Sequence, residues 1–205
     1  MLNFNEFLQE ERNLHPELTV LDIDDTLFHT TAQIAVIKDG ETIKKLTNQE
    51  YNTYNLEKGE TFDFTEFRDA DKFYHESKPI TRMMEKAKAI LSNSLKNTLN
   101  KVIIVTARAN FDNKDKFLAT FRKHGFDIDK VRVERAGNID DIHVGADRKY
   151  IIIRNYLKAA NYAKVRLFDD AMANLKVFLK LQTEFPGTKF EAYFVKTDGS
   201  IKTVK

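Results

Sequence analysis

Val20-Leu21-Asp22-Ile23-Asp24-Asp25-Thr26-Leu27 closes a short apolar run with an Asp-x-Asp-x-Thr pattern, and the chemistry of those acids decides how the rest of the chain is read. Side chains at i and i+2 of an extended segment point to the same side. Asp22 and Asp24 therefore face the same region, where two unpaired carboxylates repel and raise each other's pKa. An oxygen-seeking divalent cation is the simplest partner for them, which suggests phosphate chemistry. Acids after an apolar strand also form solvated turns or helix caps, so this stretch alone leaves both readings open.

Three later segments add to it. Val102-Ile103-Ile104-Val105-Thr106-Ala107-Arg108 ends an apolar run on a hydroxyl and a guanidinium. Asp147-Arg148-Lys149-Tyr150 places an ammonium near a helix start, and Val165-Arg166-Leu167-Phe168-Asp169-Asp170 supplies a second acid pair. A lysine near a helix start opposes the macrodipole, so a purely structural role is less natural there. In this order the set resembles the four-part signature of the haloacid dehalogenase-like (HAD) superfamily, from about Leu18 to about Val195. The resemblance implies an α/β fold, a Rossmann-like parallel sheet with helices on both faces, carrying a small hairpin-containing cap insert.

It also implies roles for the residues. Asp22 matches the nucleophile that becomes an aspartyl-phosphate. Asp24 matches the acid that protonates the leaving alcohol and then activates water. Thr106 matches the hydroxyl that holds a phosphoryl oxygen, and Lys149 the cation that neutralises the phosphoryl group and the nucleophile. Asp22, Asp24, Asp169 and Asp170 form the implied metal set; Asp170 aligns as the direct ligand, while Asp169 takes the position where the family usually has Gly and could instead hold Lys149. Thr26 and Arg108 are the implied substrate contacts. An all-oxygen donor set without Cys or clustered His points to Mg²⁺ rather than Zn²⁺, with no cofactor beyond the metal. Asp25 stands where the family often has Gly and receives no chemical role. His29 and His143 lack partners in these motifs and read as surface or loop residues.

A narrower similarity concerns the phosphatase domain of polynucleotide kinase/phosphatases, especially the tailed-phage type. Thr106-Ala107-Arg108, Lys149-Tyr150-Ile151-Ile152 and Leu167-Phe168-Asp169-Asp170 look like three of its motifs in type and spacing. That similarity implies a phosphomonoester on a nucleotide or a nucleic-acid 3′ end as substrate. The chain contains no Gly-x-x-x-x-Gly-Lys-Ser/Thr, so a kinase half is not expected. Two alternatives stay open: a small-metabolite or 5′-mononucleotide phosphatase, and a catalytically silent HAD fold used as a binding module. A two-component receiver domain fails on order, because its phospho-accepting Asp stands on a middle strand where this chain has Thr106.

Composition bounds these readings. With 205 residues and 42% hydrophobic content the chain suits one domain, residues 1–205, with an insert over about 28–79. A net charge of +2 argues against a general polyanion binder. The absence of cysteine excludes thiol catalysis and disulfides and agrees with a reducing cytoplasm. No apolar run approaches membrane-spanning length, and the first residues carry acids where a signal peptide needs cations.

Strands are expected over 18–23, 102–106 and 165–168, with an edge strand over 132–134 and a C-terminal hairpin over 190–204 at the sheet edge. Helices are expected at 3–12, from Pro79 through Leu95, at 112–124 before Gly125, at 147–160 and at 170–181. The Pro79 helix should bury Ile80, Met83, Met84, Ala87, Leu91 and Leu95. Within the insert, Lys38-Asp39-Gly40-Glu41 predicts a two-residue hairpin turn. Tyr51, Tyr54, Phe62, Phe64, Phe67, Phe73 and Tyr74 form either its small core or, for one or two of them, a surface that stacks on a substrate base.

Overall fold

The computed structural model describes residues 15–51, 53–139 and 145–205; the expected helix over 3–12 and His143 lie outside them. In chain order the elements are β1 (Glu17–Leu21), β2 (Phe28–His29), β3 (Ile34–Lys38), β4 (Glu41–Leu46), α1 (Asn48–Tyr51), β5 (Glu60–Asp63), α2 (Ala70–Glu76), β6 (Lys78–Pro79) and α3 (Thr81–Ser94). Then follow β7 (Lys101–Thr106), α4 (Lys114–Lys123), β8 (Arg132–Arg135), α5 (Gly145–Ala159), β9 (Lys164–Asp169), α6 (Met172–Leu179), α7 (Leu181–Glu184), β10 (Lys189–Val195) and β11 (Ile201–Val204).

The apolar runs of the sequence become central strands because both of their faces are covered. Leu21, Val102 and Ile104 pack into one core cluster with Met83, Phe117 and Phe121, while Leu18, Val20, Ile103 and Val105 pack on the other face with Ile153, Leu175 and Phe178. Each fully buried Phe or Leu of this kind contributes about 1.5–3 kcal/mol. The six strands run in the order β11-β10-β9-β1-β7-β8. All neighbours are parallel except β10 and β11, so the expected parallel sheet is mixed at one margin, where the C-terminal hairpin folds back. β8 forms the opposite edge, as its sequence suggests.

Two expectations about the third helix change. Pro79 does not open it: Pro79 pairs with Phe28 in the β2–β6 ladder, and the helix begins only at Thr81 after Ile80 donates its N–H to the Leu27 carbonyl at 2.9 Å. Proline lacks an N–H, so it suits this two-residue edge pairing. Leu95, expected on the buried face, is the exposed C-cap residue. The fourth helix follows its local signals: the Asn113 side chain accepts from the Lys116 N–H at 3.0 Å, and Gly125 adopts φ 72° just past the end.

The β2–β6 pairing is the stem through which the inserted segment leaves and returns. Its hairpin turns at Asp39 and Gly40 with φ 52° and 84°, as a two-residue turn requires, and β5 adds a third strand in the order β4-β3-β5. Ile34, Val36, Leu46 and Phe67 form a separate small core, with Tyr51, Tyr54 and Phe62 packed on it. Phe73 does not belong there. Its ring meets Phe28, Phe111, Phe117 and Phe121 of the main core, because α2 lies against α4.

Gly137 abuts the loop after β7 so closely that an added Cβ would sit 2.5 Å from the Ala107 carbonyl oxygen and 2.6 Å from the Ala109 nitrogen. Backbone cannot yield as a side-chain tip can. Gly137→Ala is expected to destabilise the fold by about 1–3 kcal/mol, read as a lowered Tm; an unchanged Tm would show that the two loops separate easily.

Candidate active site

Neighbouring parallel strands end together, and that alignment builds the site. Leu21 pairs with Phe168 of β9 and with Ile104 of β7, so Asp22, Asp169 and Thr106 emerge side by side at the carboxyl ends of three adjacent strands. The Asp22 N–H still bonds the Phe168 carbonyl, at 3.1 Å. Beyond it the chain turns sharply: the Ile23 carbonyl accepts from the N–H groups of Thr26, Leu27 and Phe28, and Asp25 takes the left-handed conformation at φ 53°. A glycine would adopt that conformation without cost. Asp25 also spans outward, its carboxylate meeting His29 Nδ1 at 3.5 Å and Asn48 Nδ2 of the insert at 3.3 Å.

Lys149, the fifth residue of α5, points into this junction. Its Nζ lies 2.7 Å from Asp22 Oδ1 and 2.7 Å from Asp169 Oδ2, and all three groups are almost wholly buried. The remaining oxygen of Asp169 accepts the Ala171 N–H, and the Asn174 amide reaches both of its oxygens. Asp170 is only partly buried and has no hydrogen-bond or ion-pair partner among the described residues. Asp22, Asp169 and Asp170 can each offer an oxygen within 4.8 Å of the others.

Electrostatics follow from that crowding. Burial pushes the Asp22 carboxyl up to about 7; Lys149 pulls it down, while Asp169 and Asp24 add to the rise. Burial likewise lifts Asp170 to about 9, reinforced by Asp169 and Asp22. Burial alone would depress Lys149, but Asp169 and Asp22 outweigh it and hold its ammonium above the ordinary range. One ammonium thus serves three clustered carboxylates. The surplus of negative charge and the unpartnered Asp170 fit a hard divalent cation held by oxygens.

Asp24 stands apart from that cluster. Arg108 grips it with a fork, Nε to one oxygen at 2.9 Å and Nη2 to the other at 2.6 Å, and Thr30 donates to it at 2.9 Å. The side chain of Asp24, placed by the sequence reading among the metal ligands, is therefore committed to these donors and lies outside the three-carboxylate group. Arg108 is itself buried: its third nitrogen bonds the Phe67 carbonyl at 2.8 Å, and its guanidinium lies against the rings of Phe67, Phe73 and Phe111. Thr106 is fully buried, with its hydroxyl accepting the Arg108 N–H at 3.2 Å. Thr26 is also fully buried, and its hydroxyl has no partner. Sequence reasoning did not single out Thr30, Asn48 or Asn174. Only Asn174 left a signal, as a polar residue in the first turn of a mostly apolar helix.

No protein-family model and no curated protein matches the sequence. Among solved structures, the chain is similar to the HAD domain of the effector protein Lem4 from Legionella pneumophila, with a TM-score of 0.51 and 15% identity over 89% of this chain and 88% of that one. That likeness is one of fold: a mostly parallel sheet flanked by helices, carrying small-strand insertions. At the carboxyl ends of that sheet lies a cluster of three acids, Asp22, Asp169 and Asp170, that could hold a metal ion. No helix among the described residues is long and apolar enough to cross a membrane.

Two outcomes follow for the metal-free protein. The native state keeps protons on Asp22 and Asp170 that the unfolded chain releases near its ordinary carboxylate pKa of 3.8, so their stability contribution is full below that value and lost as pH rises through about 7 and about 9. In chelator, Tm should fall from mildly acid to alkaline pH, and Mg²⁺ should restore most at the alkaline end; a rising Tm would refute the raised carboxyls. Lys149→Met leaves two buried carboxylates without their cation and is expected to cost about 3–5 kcal/mol in urea unfolding.

Proposed function

We propose that this chain is a Mg²⁺-dependent phosphomonoester hydrolase that works through an aspartyl-phosphate on Asp22, with nucleotides or nucleic-acid 3′-phosphate ends as substrates. The observation that carries the reading is the Lys149 ammonium wedged between Asp22 and Asp169 at 2.7 Å each, beside an unpartnered Asp170. A structural ion pair needs no third carboxylate left without a donor.

Asp22 attacks phosphorus through one carboxylate oxygen, and the leaving alkoxide takes a proton from Asp24. Water then gives a proton back to Asp24 as it attacks the acyl-phosphate, releasing inorganic phosphate and restoring Asp22. Asp22 and Asp170 would hold the metal directly; when bound, it neutralises charge on the transferring phosphoryl group. Lys149 neutralises the nucleophile and, with Asp169 and Asn174 fixing its position, the phosphoryl oxygens. The Arg108 fork engages both oxygens of Asp24, the group that must give a proton in the first step and take one from water in the second. The first step needs the protonated form, so substrate must exchange one Arg108 hydrogen bond for one to its leaving oxygen.

Phosphate release from 3′-phosphorylated oligonucleotides, 3′- and 5′-mononucleotides and sugar phosphates tests the reading directly. Release is expected to require Mg²⁺, to vanish in Asp22→Asn, and to drop about 10²–10⁴-fold in Asp24→Asn. Release that survives Asp22→Asn would sink the aspartyl-phosphate route.

A further inference from the structure

We infer that Tyr51 and Phe64 of the inserted segment form the subsite for a planar nucleobase on the leaving group, an inference that rests on the phosphatase reading above. Position is the first argument. Asn48 of α1 bonds Asp25 at 3.3 Å, which anchors that helix over the loop bearing Asp22 and Asp24. Tyr51 follows three residues later, on the same side of the helical turn.

Continuity is the second argument. Arg108, which holds Asp24, lies 4.7 Å from the centroid of the Phe67 ring. Phe67 leads to Phe64 at 6.5 Å, and Phe64 to Tyr51 at 5.5 Å in an edge-to-face contact. A line of rings thus runs from the acid that would protonate the leaving oxygen out to the surface. Phe64, between Phe67 and Tyr51 in that line, is 43% exposed although every other ring it touches is buried or half-buried. Tyr51, Tyr54 and Phe62 lie on the small core of the insert, and Tyr51 is only half-buried there, so packing of the insert explains these three. It does not explain why Phe64, on a line of rings that starts beside Asp24, is left in solvent.

Chemistry names the occupant. The phosphoryl group must meet Asp22 and Lys149, and its leaving oxygen must meet Asp24. Whatever is attached to that oxygen then extends past Phe67 toward Phe64 and Tyr51. Aromatic faces suit a flat π-system, and stacking is indifferent to base identity. The base can belong to a free mononucleotide or to a polynucleotide end, since both present the same ring next to the same ester.

The test compares kcat/KM for a nucleoside 3′-monophosphate, a 3′-phosphorylated oligonucleotide and glycerol phosphate, in the full chain and in Phe64→Leu and Tyr51→Leu. Leucine keeps apolar bulk and removes the π-face. We expect the ratio of nucleotide to glycerol phosphate turnover to fall about tenfold or more in each variant, chiefly through KM. A ratio does not depend on the fraction of protein folded, so loss of stability cannot mimic this result. The larger fall, with mononucleotide or with oligonucleotide, identifies the source of the base. An unchanged ratio, with phosphate release still abolished by Asp22→Asn, overturns the subsite and leaves the phosphatase reading standing. No release from any of the three by the unaltered chain overturns both.

Discussion

The Lys149 ammonium, buried between Asp22 and Asp169, is the interaction on which the rest of the site depends. Taking an ammonium or carboxylate out of water costs several kcal/mol per ion even after relaxation, and one partner rarely offsets it. Here the ammonium meets two carboxylates at 2.7 Å each, and Asp169 is further held by the Ala171 N–H and the Asn174 amide. The arrangement works only if β9 and β1 end in register and α5 delivers Lys149 above them. The parallel sheet supplies the first condition, and the apolar face of α5 packed on it supplies the second.

Arg108 repeats the solution with different means. It too is buried, but its charge is shared among Asp24, the Phe67 carbonyl and the faces of three aromatic rings. A planar guanidinium can stack and fork at once, which an ammonium cannot. The outcome is two cations with separate clients: Lys149 serves the pair at the ends of β1 and β9, and Arg108 serves the acid two residues further along. Because Phe67, Thr30 and Asn48 all belong to the inserted segment, three of the hydrogen bonds that organise the acid loop come from it. Movement of the insert away from the sheet would therefore loosen Asp24 and Asp25 while leaving Lys149 in place.

Much of this was legible in the residues. Apolar runs ending in Asp22, Thr106 and Asp169 gave the three strand ends, and Asp39-Gly40 gave the hairpin turn, because both depend on short-range geometry. Pro79 misled because proline suits a helix start and an edge pairing equally, and only the distant Phe28 decides between them. Phe73 misled because nearness in sequence to the insert's aromatics says nothing about the tertiary contact of α2 with α4. The fork between Arg108 and Asp24 joins residues 84 positions apart. No local pattern separates such a pair from a guanidinium left open for a phosphate.

The adjacent acids Asp169 and Asp170 show how packing divides what the sequence leaves equivalent. Successive residues at a strand end point in opposite directions. Asp169, the last residue of β9, is fully buried and has both oxygens occupied by Lys149, Ala171 and Asn174. Asp170, just beyond the strand, keeps its oxygens without donors among the described residues and is lifted toward neutrality by burial and then by Asp169 and Asp22. A carboxyl with spent lone pairs is a poor ligand and a good clamp, whereas one held in a low-dielectric setting without donors gains most from a cation. Asp169 is the acid tied down by Lys149 and Asn174, Asp170 the one that meets no donor among the described residues, and the difference is made by Asn174 and Lys149 rather than by either acid.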